Sequence, residues 1–443
     1  MIGSMSKTPK EYYDEIFQLI EKHHEWFSNS IPLVASENIP SPAVREAIMS
    51  DFGNRYAEGW PGERLYAGCT YIDKVELIAI ELAKKLFRAE FADVRPISGV
   101  CANLVAYTAF TDAGDTIFSL SIPSGGHIST GKKSLGGTAG SVSRLEVENF
   151  PFDVNEMNID VDETKKRVKK MVGEGKKVKL AMFGGSVLTQ PHPLKELADV
   201  FHEVGAKVCY DGAHVAGLIA GGLFQDPLRE GADVMSMSTH KTLFGPQGGC
   251  VVSFDKYAEI IKRATFPSNV SNHHLHHVCG KAIAFAEFLE FGRRYALQVV
   301  KNAKALAQSL YEKGFQVLGE KKGFTQSHIV LVDITKYGLG GDLERKLEKA
   351  NIILNRNLLA YDLKYGRHYQ NPGGIRLGSQ ECTRLGMKED DMKYIAELIA
   401  RVVIKGEDPD RVKKDVIDFR KNFNKTHYCF DSIREAYEYI KIR

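Results

Sequence analysis

From Val94 to Gly249 the chain alternates short, continuous apolar runs with stretches whose apolar residues recur every three or four positions, and this alternation limits the possible fold more than any other feature. Val178 to Phe183, Ala206 to Tyr210 and Val234 to Ser238 read as strands buried on both faces, and Asp115-Thr116-Ile117-Phe118 as a further strand. Between them, Asp160 to Val172 and Leu194 to Val204 read as helices. That order predicts an α/β fold, a large domain with a mainly parallel sheet flanked by helices, with ligands held beyond the carboxyl ends of the strands.

The flanks add a helical arm from Tyr12 to Trp26, an extended segment Ile31 to Asn38 ending in Ser36, Glu37 and Asn38, and a helix through Met49 opened by Ser41-Pro42. Val75 to Phe87 is strongly amphipathic. A long helix from Lys281 to about Lys313 is expected to cross into a smaller C-terminal α/β domain, with strands Ile329 to Asp333 and Ile375 to Gly378 and a helix from Gly341 to Ala350. Arg401 to Arg443, charged in both signs, reads as a solvated helical tail. The expected division is an arm over 1–50, a large domain over 51–290 and a small domain with its tail over 291–443.

Composition excludes several partners. The 59 basic and 56 acidic residues leave a net charge of +3, so no electrostatic footprint calls for nucleic acid. No apolar run approaches the ~20 residues of a membrane span, and Lys7, Lys10, Glu11 and Asp14 interrupt any signal-peptide core. The seven cysteines are odd in number, scattered and without a Cys-x-x-Cys pair, which fits a reduced, cytoplasmic protein with neither a disulfide framework nor a zinc site.

The polar residues at the strand ends are Ser98, His127, Ser186, Asp211, His214 and Lys241, each next to glycine or another small residue. Ser98-Gly99-Val100 opens an apolar helix, where free backbone N–H groups bind an anion, although a small-residue helix start is also an ordinary cap. There is no GxGxxG or Walker lysine, so a nucleotide is not indicated. Asp211-Gly212-Ala213-His214 sets an imidazole beside a carboxylate, which is either a structural pair or part of a site. Lys241 follows the strand Val234 to Ser238 and precedes the turn Gly245-Pro246. A lysine, a carboxylate and a phosphate-sized anion site together suit pyridoxal phosphate.

Two further stretches stand out. Arg55 to Gly68 packs aromatics, charges and glycines without periodicity; it is either a surface loop packed on its own aromatics or a site lined by Glu58 and tyrosines. His273-His274-Leu275-His276-His277 could bind a metal, but no carboxylate or cysteine stands near it in sequence, and an active-site-adjacent loop without metal is the expectation.

The chain resembles the serine hydroxymethyltransferases, aspartate-aminotransferase-like enzymes of fold type I, from about Ile31 to about Ala400. The resemblance rests on Leu33-Val34-Ala35-Ser36-Glu37-Asn38, Tyr56-Ala57-Glu58-Gly59 with Pro61-Gly62, Asp211-x-x-His214-Val215-Ala216-Gly217-Leu218, Thr239-His240-Lys241-Thr242-Leu243 with Gly245-Pro246, and Gly374-Ile375-Arg376-Leu377-Gly378. It implies that Lys241 forms the Schiff base with pyridoxal phosphate, that Asp211 keeps the pyridine nitrogen protonated, and that His127 stacks on the ring. It further implies that Ser186 and His214 lie by the ring hydroxyl, that Ser98 and Gly99 hold the phosphate, and that Arg376 and Ser36 fix the carboxylate of serine or glycine. His240 joins Lys241, Glu58 and Tyr66 as a catalytic candidate. Glu58 matches the proton-transfer carboxylate, Tyr56 a phosphate contact, Tyr66 a substrate contact and Asn357 a contact to the tetrahydropterin co-substrate. In the family Tyr56, Glu58 and Tyr66 come from the partner subunit, which implies a homodimer with shared sites.

Departures from the family pattern gather on the phosphate and pterin side. Val100 stands where a hydroxyl is common, Leu65 where tyrosine is, and Gln247 where arginine is; the loop after Phe266-Pro267 reads Ser268 to His274 instead of being glycine-rich. The expectation is retained serine–glycine chemistry with a modified pterin, such as a methanopterin, as an alternative acceptor to tetrahydrofolate. Threonine aldolase or aminotransferase chemistry on the same cofactor, and a non-catalytic binding protein on the same fold, are the rival readings.

Overall fold

The computed structural model describes residues 7–431 and 435–442; 1–6, 432–434 and 443, which include part of the expected tail, lie outside the described residues. Seven strands form the main sheet in the order Phe91–Asp93, Gly249–Ser253, Val234–Ser238, Lys207–Asp211, Val178–Gly184, Thr116–Ser119, Glu146–Asn149. From Val234–Ser238 to Glu146–Asn149 the pairing is parallel, whereas Gly249–Ser253 runs antiparallel to both neighbours. Alternate side chains go to opposite faces: Val208 and Tyr210 join one core cluster and Cys209 the other, as Phe183 and Met182 do on the next strand. Both faces are covered by helices, which explains why the inner strands are mostly apolar, whereas the edge strand Glu146–Asn149 is polar and buries none of its residues.

A second sheet is antiparallel, ordered Gln316–Val317, Ile329–Asp333, Gly374–Gly378, Asn355–Asn357. The 38-residue helix Leu275–Glu312 links the two cores, with Phe285, Phe288 and Tyr295 in the first and Ala303, Leu306 and Leu310 in the second. It starts at Leu275, earlier than the expected Lys281, so His276 and His277 lie in its first turn.

The N-terminal helix Pro9–Ser28, opened by a Thr8/Glu11 capping box, buries none of its residues, though Trp26 near its end donates to Asn351 Oδ1 at 3.0 Å. After it, Ile31–Pro32 pairs in parallel with Ile352–Ile353, and Ile31, Leu33 and Ile39 join the core of the second sheet. The tail is not a solvated helix. Its helix ends at Arg420, Val412 and Val416 are buried, and Arg420 donates to the Ser30 carbonyl at 2.6 Å. Beyond it, Arg384 donates to the carbonyls of His427 and Tyr428, which straps the segment down. The apolar positions within this charged stretch give it a face to bury. Among the described residues, no helix is long and apolar enough to cross a membrane.

Candidate active site

Lys241 sits in a loop whose backbone is fixed on every side. The Thr239 hydroxyl donates to the Pro246 carbonyl at 2.7 Å, and the Gly245 N–H to the Thr239 carbonyl at 2.7 Å. The Asn38 amide donates to the Lys241 carbonyl at 2.7 Å and to the Tyr295 hydroxyl at 2.8 Å. Thr242 reaches the His214 carbonyl at 2.8 Å. With its backbone so held, the lysine turns its side chain into a cavity of about 170 Å³ at the carboxyl end of the sheet. Burial lowers the amine to about 8, with Asp211 opposing and Arg376 adding to the shift.

The cavity gathers the expected strand-end residues: Ser98 and Gly99, His127, Ser186, Asp211, His214 and Lys241 all line it, and so does His240. Ser98 caps the helix Gly99–Phe110, its oxygen accepting from the Cys101 N–H at 3.1 Å. Its hydroxyl proton is left to donate elsewhere. The N–H groups of Gly99 and Val100 bond no acceptor among the described residues. A Cβ on Gly99 would lie 2.4 Å from the Ser238 hydroxyl, so a larger residue here would push that hydroxyl out of its rotamer beside the strand that leads to Lys241.

Asp211 is 3% exposed, and its oxygens accept from the Asn103 amide at 2.9 Å and the Ala213 N–H at 3.0 Å. Asn103 also donates to the Ser129 hydroxyl at 2.9 Å and accepts from the Ser236 hydroxyl at 2.6 Å. The Ser129 N–H in turn donates to His127 Nδ1, which places the remaining imidazole proton on Nε2. Burial lowers the pKa of His127, favouring the neutral ring. Sequence reading missed the role of Asn103, although an amide in an otherwise apolar helix start was the available signal.

Of the two readings of Asp211 and His214, the structural pair is not formed, and both residues line the cavity. His214 faces His328, the residue before the strand Ile329–Asp333 of the second sheet, Nδ1 to Nε2 at 3.5 Å with the rings stacked. His328 also contacts the Ala35 carbonyl at 3.1 Å, and sequence alone gave no sign of it. Burial holds the pKa of His214 well below the ordinary histidine value and brings His240 to about 4.

Arg376, on the strand Gly374–Gly378, comes from the second sheet. Its guanidinium donates to the Ser186 carbonyl at 2.9 Å and to Asn355 Oδ1 at 3.2 Å, and burial lowers its pKa to about 10. Gly184 and Gly185, with φ of 82° and 137°, turn the chain so that the Ser186 carbonyl can meet it. Ser36 does not line the cavity; its neighbour Ala35 packs on Gly378, two residues beyond Arg376, where a Cβ would fall 2.5 Å from the Ala35 Cα. Asn357 ends the neighbouring strand, opposite Gly374.

Tyr56, Glu58 and Tyr66 do not line the cavity. They form a separate cluster in which the tyrosine rings lie 4.8 Å apart, Glu58 accepts from the Ser271 hydroxyl, and the Glu58 charge raises the pKa of Tyr66. The backbone of this loop is nonetheless rigid. Arg64 donates to the carbonyls of Ala57 and Gly59 and pairs with Asp73 and Glu76, and Arg95 also reaches the Gly59 carbonyl. His273 bonds Glu76 at 2.7 Å, so the histidine cluster does have a carboxylate neighbour; it comes from the helix Thr70–Phe87, remote in sequence. That pairing ties the His273 loop to the Arg64 clamp.

A buried lysine, a hydrogen-bonded carboxylate and free helix N–H groups at one edge of a mainly parallel sheet define a pyridoxal-phosphate-dependent enzyme of fold type I. A sequence profile of the family described as serine hydroxymethyltransferase matches residues 10–399. Serine hydroxymethyltransferase of Nitrosopumilus maritimus is 59% identical over 98% of this chain and 99% of its own length. That of Cenarchaeum symbiosum is 60% identical over 99% of each, and that of Methanocaldococcus jannaschii 54% identical over 95% of this chain and 96% of its own. The chain belongs to the serine hydroxymethyltransferase family, whose members are pyridoxal-phosphate-dependent transferases.

Proposed function

We propose that this protein interconverts serine and glycine and passes the hydroxymethyl carbon to a tetrahydropterin. The observation that carries the reading is the convergence of Lys241, Asp211 and the free N–H groups of Gly99 and Val100 on one cavity. Bound pyridoxal phosphate supplies an aldehyde that captures an amine and a ring that accepts the electron pair released at Cα. Ser98, Gly99 and Val100 are arranged to donate to its phosphate, and Asp211, oriented by Asn103, to hold a proton on its pyridine nitrogen. His127 presents a neutral ring wall, with Ser186 and His214 beside it. Lys241, with its lowered pKa, has a neutral amine in reach at mildly alkaline pH and can exchange with the amine of serine.

Arg376 and Ser36 bind the substrate carboxylate, the planar guanidinium matching its two oxygens. Glu58 moves the proton at the serine hydroxyl oxygen, with Tyr66 beside the substrate, Tyr56 on the phosphate and Asn357 on the pterin ring. His240 packs beside Lys241 as a neutral imidazole. Because Tyr56, Glu58 and Tyr66 stand away from the cavity of their own chain, they serve a second copy in a homodimer. The half-exposed tyrosines and the unburied helix Pro9–Ser28 support that assembly. On this reading the chain divides into an arm, a large domain to residue 290 and a small domain beyond, with residues 31–39 contributing to the small domain. Seven free thiols agree with a cytoplasmic site of action.

Leu65 and Gln247, both exposed, favour a modified pterin such as tetrahydromethanopterin as the acceptor. The experiment is glycine formation from serine with each purified pterin: turnover is expected to require a pterin and to favour the methanopterin. Equal or better turnover with tetrahydrofolate sinks the acceptor assignment, and pterin-independent cleavage sinks the transferase reading in favour of an aldolase.

A further inference from the structure

One buried charge takes no part in the chemistry above. Lys281, in the second turn of the helix Leu275–Glu312, is 2% exposed, and its ammonium donates to the carbonyls of Val94 at 2.7 Å, Gly249 at 2.9 Å and Pro96 at 3.2 Å. An ammonium has three donors, so three carbonyls satisfy it completely. No carboxylate among the described residues bonds it: Asp93 is taken by Arg95, and Glu76 by Arg64 and His273. Burial lowers its pKa to about 8, against the opposing charges of neighbours that include Asp93 and Glu76, so holding a cation here is costly, and the position of the carbonyls shows what it does there.

Val94 and Pro96 lie on the segment that runs directly into Ser98 and Gly99, and Gly249 opens the adjacent antiparallel strand, its N–H donating to the Pro96 carbonyl at 2.9 Å. The segments touch so closely that a Cβ on Gly249 would fall 2.2 Å from the Ser98 carbonyl, and one on Gly248 would fall 2.4 Å from Lys281 Cε. The Gly248 carbonyl also accepts from the Thr239 N–H at 3.0 Å, two residues before Lys241. One ammonium therefore gathers the turn that opens the anion site and the loop that carries the reactive lysine. Its field reaches the first turn of the helix Gly99–Phe110, where it draws the Cys101 thiol down against the upward effect of burial.

We propose that Lys281 is a positioning residue for the phosphate end of the cavity. It is a tethered cation that fixes the Ser98-Gly99 turn against Gly248-Gly249 and lends its charge to the helix N-terminus that receives a dianionic phosphate monoester. The proposal rests on the reading of that cavity as a pyridoxal phosphate site. It separates from a plain packing role by its ligand dependence, because it concerns the phosphate and not the ring.

The test uses the full-length protein stripped of cofactor, with Lys281→Met, of similar length without charge, and Lys281→Ala, which vacates the carbonyl cage. Each is titrated with pyridoxal phosphate and with pyridoxal, followed by visible absorbance. Lys281→Met is expected to weaken pyridoxal phosphate by about tenfold or more while leaving pyridoxal nearly unchanged. Lys281→Ala should show the same selective loss, partly recovered by added potassium or ammonium, which the vacated carbonyls can bind. Equal losses for both ligands, or no loss, would overturn the proposal. So would a loss of fold in both variants that the cations do not restore, because the ammonium then serves the fold as a whole. Wild-type protein that binds pyridoxal phosphate no better than pyridoxal would overturn the reading of the cavity along with it.

Discussion

The cavity at the sheet edge and the loop from Arg55 to Gly68 draw on similar side chains, a carboxylate, aromatic rings and basic residues, yet they are built in opposite ways. In the cavity the functional groups themselves are buried and tied to one another, from Asp211 through Asn103 and Ser129 to His127. In the loop the backbone is what is tied, by Arg64 and Arg95, while Tyr56 and Tyr66 are 48% and 46% exposed. Burial tunes Lys241 and His127, whereas the loop holds its side chains at a fixed place in solvent. The first arrangement suits a site that perturbs protonation; the second suits groups presented to another surface.

Replacing a residue from each region breaks the comparison in different observables. Lys241→Ala should have the largest effect, a loss of turnover of about 10³-fold or more together with the visible band that borohydride bleaches. An active, coloured variant would remove Lys241 from the centre of the site. Glu58→Gln should lower pterin-dependent serine cleavage by about 10²- to 10³-fold and leave the cofactor spectrum intact. Mixing the two inactive variants then sharpens the point. If the loop serves a partner, hybrid dimers carry one intact site, and random exchange restores about a quarter of the wild-type activity. No recovery after subunit exchange would return Glu58 to its own chain's chemistry.

Asn103→Ala acts inside the cavity, where it leaves an Asp211 oxygen and the Ser236 hydroxyl without their partner. A cost of about 1–3 kcal/mol for such orphaned groups predicts cofactor binding weaker by about 10- to 100-fold, measurable by titration of the apoprotein. Unchanged affinity would mean that Ala213 alone orients the carboxylate. The smallest expected effect is one of pH. Burial lowers Lys241 to about 8, so its reactive neutral form is scarce below that value and dominant above it. The rate of cofactor capture by the apoprotein should therefore rise about tenfold between about pH 7 and about pH 9 and then level off. A midpoint near the ordinary lysine value of about 10.4 would place the amine in water.

Much of the cavity was legible because it obeys local rules. Apolar strands ended by a single polar residue and glycines predict the sheet edge, and Ser98, Asp211 and Lys241 were readable one by one from such ends. The partners were not. Asn103 reads as one amide in an apolar helix, and His328 as one histidine 114 residues from His214; the contacts exist only because a parallel sheet and a second sheet fold against each other. The same holds for Glu76 beside His273, and for the apolar residues of the tail, whose charge masked the face that Val412 and Val416 bury.

The sequence by itself determined the fold class, the strand-end residues and the motif matches, because periodicity and motifs are properties of neighbours along the chain. Only the tertiary structure decided who bonds whom: that His214 meets His328 and not Asp211, that Ile31, Leu33 and Ile39 pack in the second core, and that Lys281 gathers three carbonyls beneath the anion site. The reason is physical. A buried polar group must find its partner in space, and spacing along the chain does not specify which distant group the packing will bring to it.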